Sequence, residues 1–220
     1  QRVFIWVERE TDPYVVAIDK ATGANIWKVA GAGATSWASP RLVPVSGEQH
    51  LVLSAIGSLT GLNPGTGEKL WTLTGIAGNS TPTPVPVAEG RFLIGATTGR
   101  GEAPAGGPMH SNGLVEIRKT DGAWTADYVW RAKRATSSFG SPVAAGNLAY
   151  FVNRTGVLYG LDLETGEEKF AERIGDSIWA TPLVVDDRVL FFGKNGVTTI
   201  VTSTSDFARL GENKAWESEP

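Results

Sequence analysis

The sequence predicts an all-β protein, a β-propeller built from four-stranded antiparallel blades. Three observations predict it. A strand–turn–strand pattern recurs, as SLTGLNPGTGEKLW at 58–71, YVVAIDKATGANIW at 14–27 and VLYGLDLETGEEKF at 157–170, with a weaker copy at 113–130. A Ser/Thr-Pro pair opens an apolar run four times, at Ser39-Pro40, Thr81-Pro82, Ser141-Pro142 and Thr181-Pro182. Composition is the third: 27 glycines and 12 prolines in 220 residues supply many turns. A unit of about 40–45 residues holding four short strands is the sequence form of a propeller blade.

The elements follow from local chemistry. Proline fixes φ and glycine accepts positive φ, so Pro64-Gly65-Thr66-Gly67 reads as a tight turn between two strands. The second unit then carries strands A to D at 41–45, 50–56, 59–63 and 69–73, and the fourth at 143–145, 148–153, 157–162 and 169–174. The first unit begins with a strand B at 2–8 and a strand C at 14–19, with no strand A ahead of them. The fifth opens at Pro182 and reaches a degraded turn at Ser205-Asp206, with Leu210 in the place of the tryptophan. The blades read as 1–36, 37–79, 80–137, 138–176 and 177–216. A Gly- and Pro-rich insertion at 98–112, carrying Met109 and His110, lengthens the third.

Strands B and C are nearly continuous apolar runs, as at 189–192, which fits sheets covered on both faces by neighbouring blades. Trp27, Trp71, Trp130 and Phe170 share one strand D position and are expected to staple blade to blade. Ala17, Gly61 and Gly160 share one strand C position, where a small residue is expected to let the next blade approach.

The run Ala-Ile-Asp-x-x-Thr-Gly-x-x-x-Trp at 17–27 resembles the tryptophan-docking motif of the pyrroloquinoline quinone (PQQ)-like repeat, and 61–71 and 160–170 are similar to it. Trp37-Ala38-Ser39-Pro40 and Trp179-Ala180-Thr181-Pro182 resemble its blade-opening turn. The chain most resembles secreted or periplasmic PQQ-like propellers of unassigned activity. That resemblance implies an extracytoplasmic setting. It also implies seven or eight blades, so the five read here are expected to form an arc of a larger ring. The repeat serves both quinoprotein dehydrogenases and non-enzymatic assembly scaffolds.

The residues themselves narrow the function. A net charge of −3 and a pI near 5.5, with scattered basic residues, argue against nucleic acid. No apolar run is long enough to span a membrane as a helix. Absent cysteine removes thiolate sites. Two histidines do not make a metal cluster or a triad; His50 reads as a surface residue and His110 stands alone in its loop. Glu8, Glu10 and Asp12, like Asp186-Asp187, lack a calcium-loop pattern. Asp19, Asn63 and Asp162, each three residues before a turn threonine, are expected to bond turn backbone.

The leading expectation is a non-catalytic protein-interaction scaffold without a cofactor, binding a protein partner or the remaining blades of its own propeller. Trp37, Phe139 and Trp179 in the blade-opening turns, with Arg100, Arg154 and Lys194 in or near the B–C connections, are the candidate partner-binding residues. One alternative is a fragment of a quinoprotein dehydrogenase holding PQQ and calcium. Another is a carbohydrate-binding propeller with Trp37 and Trp179 as stacking platforms.

Overall fold

A computed structural model describes residues 1–9, 11–31, 36–77, 81–97, 111–175 and 177–215. The strands form five antiparallel sheets, each a consecutive meander. The first has three strands, β1 (Arg2–Val7), β2 (Tyr14–Asp19) and β3 (Asn25–Ala30). The second holds β4 (Arg41–Val45), β5 (Glu48–Ala55), β6 (Gly57–Leu62) and β7 (Lys69–Ile76). The third holds β8 (Val85–Ala88), β9 (Arg91–Ile94), β10 (Gly113–Thr120) and β11 (Ala123–Arg131). The fourth holds β12 (Val143–Ala145), β13 (Leu148–Val152), β14 (Val157–Asp162) and β15 (Glu168–Arg173). The fifth holds β16 (Leu183–Val185), β17 (Arg188–Phe192), β18 (Val197–Thr202) and β19 (Arg209–Lys214).

The sheets stack face to face, and each junction between neighbours is a buried apolar seam. Val15, Leu51 and Leu53 pack with Phe4 and Trp27 between the first two sheets. Val52, Leu59, Trp71, Phe92 and Val115 fill the second seam. Leu93, Trp130, Ala149 and Phe151 fill the third, and Tyr150, Leu158, Val189 and Phe191 the fourth. Among the described residues no such cluster joins the first sheet to the fifth. Val3, Ile5 and Ile26 lie exposed on the first sheet, and Leu183, Val184, Val185 and Leu210 on the fifth. The blades therefore form an open arc.

The aromatic staples work through the C–D turns. The Trp27 indole N–H donates to the Pro64 carbonyl at 3.1 Å, and the Trp130 indole N–H donates to the Leu163 carbonyl at 2.9 Å. Each ring lies against the turn glycine of the next blade: a Cβ at Gly67 would come within 2.8 Å of Trp27, and one at Gly166 within 2.6 Å of Trp130. Both glycines sit at positive φ, 78° and 71°. The turns are held as expected. Asp19 Oδ1 accepts the Ala21 and Thr22 amides, Asn63 Oδ1 the Gly65 and Thr66 amides, and Asp162 Oδ1 the Glu164 and Thr165 amides. Phe170 has no indole to donate; it packs between Tyr150 and Phe207.

Four sequence expectations are corrected here. The small strand C residue makes room for its own blade's aromatic, not for the neighbouring blade. Gly61 pairs with Trp71 and Gly160 with Phe170, and a Cβ would meet those rings at 2.1 and 2.4 Å. Strand A of the third blade starts at Val85, directly after Pro84, so Thr83-Pro84 rather than Thr81-Pro82 opens it. In the fifth blade Gly211, not Leu210, faces the strand C position, opposite Ile200; bulk and space have exchanged places, and Leu210 is the extra residue of the bulge. His50 is not a surface residue: it is fully buried.

Candidate functional site

The meander puts the D-to-A connections and the B–C turns at one end of every sheet, and the A–B and C–D turns at the other. The candidate residues on the described segments therefore share a face. That face is organised by a directional chain of hydrogen bonds. The Ser39 amide donates to Thr83 Oγ1 at 3.0 Å, the Thr83 amide to Ser141 Oγ at 3.0 Å, and the Ser141 amide to Thr181 Oγ1 at 3.1 Å. Each hydroxyl belongs to the next blade, so the opening turns of blades two to five are tied in sequence.

Four of the six candidate side chains converge where blades four and five meet. Phe139 and Trp179 have ring centroids 4.5 Å apart, tilted by 51°. The Lys194 ammonium lies 4.2 Å from the Trp179 centroid, and the Arg154 guanidinium carbon 5.9 Å from that of Phe139. Both are cation–π distances. Trp179 keeps 45% of its surface exposed, and Arg154 and Lys194 are exposed. Among the described residues neither cation is paired with a carboxylate, unlike Arg91, Arg134 and Lys169.

Sequence reasoning missed the residue that builds this cluster. Ser177 Oγ accepts the Trp179 indole N–H at 2.8 Å, and the Ser177 carbonyl accepts the Lys194 amide at 3.0 Å. Ile178 bridges to Gly193 alongside. One serine thus orients the ring and pins the B–C turn that carries the lysine. The signal for it was Ser-x-Trp before the Pro182 turn. A groove of about 200 Å³ opens next to the cluster, lined in part by Ile178, Gly193, Asn195, Val197, Thr199 and Glu212.

The other two candidates stand apart. Trp37 occupies the equivalent turn of blade two and is 64% exposed, but it meets neither Phe139 nor Trp179. Its turn is held by Ser36, whose amide donates to Glu8 Oε2 at 2.6 Å and whose hydroxyl donates to the Ser54 carbonyl at 2.5 Å. Burial pushes the Glu8 carboxyl above its ordinary value despite the Ser36 bonds. Arg100 lies outside the described residues, as do Glu10, Met109 and His110.

A family model described as "Outer membrane protein assembly factor BamB", the PQQ_2 family, matches residues 2–128 and 115–218. The chain belongs to this family of PQQ-like repeat propellers. Among solved structures, BamB from Moraxella catarrhalis is similar over 99% of this chain and 62% of its own, with a TM-score of 0.69 and 18% identity. A europium-containing methanol dehydrogenase is similar over 97% of this chain and 49% of its own, with a TM-score of 0.62 and 11% identity. The Cps50 (Swd1) β-propeller domain of Myceliophteria thermophila is similar over 96% and 69%, with a TM-score of 0.60 and 14% identity. At these identities the likeness shows the fold. The chain spans less than two thirds of the length of that BamB and about half of the dehydrogenase. No curated protein matches. Among the described residues no three acidic or imidazole side chains converge to hold a metal ion, so no group of them is offered as a calcium seat.

Proposed function

We propose that this chain is part of a non-catalytic protein-interaction scaffold, and that the blade four–five cluster meets an acidic segment of a partner protein. One observation carries the reading. Two blades bring an exposed tryptophan, a half-buried phenylalanine against it and two cations without a carboxylate partner among the described residues to one spot on an acidic chain. Exposed aromatics flanked by cations are the composition of a binding hot spot. Unpaired cations steer and select an acidic partner. The family supports an interaction role in general terms, since the matched description names an assembly factor.

The proposal has three further parts. The remaining blades complete a ring of seven or eight and cover Val3, Ile5 and Leu183–Val185. The setting is extracytoplasmic. No PQQ or calcium is resident, so titrating the full-length protein with both leaves the quinone absorbance unchanged; stoichiometric binding would favour the dehydrogenase reading.

A photo-crosslinking residue at exposed Ala180, beside Trp179, tests the site in the full-length protein in its native host. The expected result is a discrete protein adduct at Ala180 and none at Ala21, in a turn at the opposite end of the first blade. Equal labelling from both positions, or from neither, would remove the assignment.

A further inference from the structure

The first and third seams place the indole N–H on a carbonyl of the next blade's turn. The second seam does not. The third blade closes its C–D hairpin with Asp121-Gly122, both at positive φ (51° and 82°), and Thr120 directly opposite Ala123. This is the short hairpin turn. Trp71 donates its indole N–H within its own blade instead, to His50 Nδ1 at 3.0 Å.

His50 is fully buried, and its Nε2 has no hydrogen-bond partner. Because Nδ1 accepts, the ring is neutral with its proton on Nε2. From the third blade, Trp124 of β11 meets the ring edge-on at 4.5 Å and 88°. Two charges reach the imidazole. Lys119 of β10, its ammonium 4.8 Å from the Trp124 centroid, opposes protonation, and Glu48 on the histidine's own β5 favours it. Val43 of β4, across the ladder, and Trp71 of β7 are uncharged. Burial is the largest influence and holds the ring neutral below the ordinary imidazole value.

We propose that His50 is a proton-sensitive latch on the seam between the second and third blades. Neutral, it accepts the Trp71 indole. Protonated, both ring nitrogens are donors, Nδ1–H faces the indole N–H, and a charge is buried with an empty Nε2–H. The seam loosens on acidification, while the first and third seams, which rest on carbonyls, hold. The sign follows from the lowered value in the folded state. The stabilisation is fully present above the ordinary imidazole value of about 6.5 and is lost as pH falls below it.

The test records imidazole and indole nitrogen spectra of the full-length protein against pH, with His50→Gln and Trp71→Phe variants, and melting temperatures at about pH 7.5 and about pH 5. Native His50 shows the Nε2–H tautomer and a midpoint below the ordinary value. The Trp71 indole signal moves with it, and those of Trp27 and Trp130 stay. Trp71→Phe raises the midpoint, and His50→Gln loses less melting temperature on acidification than the parent. If His50→Gln does not fold, the parent and Trp71→Phe spectra decide alone. Native protonation of His50 at the ordinary value with an unmoved Trp71 signal would overturn the latch, as would an equal acid loss in parent and His50→Gln.

Discussion

The aromatics of this chain occupy two kinds of place. At the seams, Trp27, Trp71 and Trp130 spend their indole N–H on a fixed acceptor and their faces on the next blade. At the opening turns, Trp37 and Trp179 leave roughly half or more of their surface in water, and Trp179 gathers a second ring and a cation rather than a core. Both sets recur with the repeat. The difference is whether the neighbouring blade supplies a buried cavity for the ring. Where it does, the aromatic is structural; where it does not, the ring remains available for recognition.

That contrast predicts a double dissociation, and the largest effects belong to the seams. Trp130→Ala removes a buried ring and its bond to Leu163, and should cost about 3–5 kcal/mol. A denaturation curve of the full-length protein measures it. Gly61→Ala comes next. Its Cβ would lie 2.1 Å from Trp71, so overpacking should cost about 1–3 kcal/mol, with relief in a Gly61→Ala/Trp71→Leu double variant. A loss of equal size in single and double variants would break the steric account.

The turns contribute a pH dependence of their own. The bonds from Thr22 to Asp19 and from Thr165 to Asp162 hold both carboxyls below their ordinary value. Their stabilisation is therefore present above that value, about 4, and is lost as pH falls through the depressed range. An Asp19→Asn/Asp162→Asn double variant should flatten the denaturant midpoint against pH between about 5 and 2. This acid step lies below the one assigned to His50, so the two separate along the pH axis. The smallest stability effect is at the patch: Trp179→Ala should stay within about 0.5 kcal/mol of the parent.

Much of the fold was legible because the repeat wrote it several times. β2, β4, β12 and β14 match the sequence reading residue for residue, and the first sheet has three strands with no strand A, as read. What failed had physical reasons. Thr81-Pro82 and Thr83-Pro84 are adjacent look-alikes, distinguished by where strand A starts and by the hydrogen bonds that tie Thr83 to Ser39 and Ser141. His50 looked polar and exposed, because its burial depends on Trp124 from another blade. At the patch, residues in the opening turns and B–C turns could be placed on one face from topology. Their convergence could not, because it depends on Ser177 holding both Trp179 and Lys194.

The most direct test measures crosslink yield from Ala180 together with melting temperature, in the parent and in an Arg154→Glu/Lys194→Glu variant of the full-length protein. The account predicts that yield falls by about tenfold or more while the melting temperature stays, because the cations recognise the partner and hold no seam. An unchanged yield, or a yield lost only in step with the melting temperature, would contradict it.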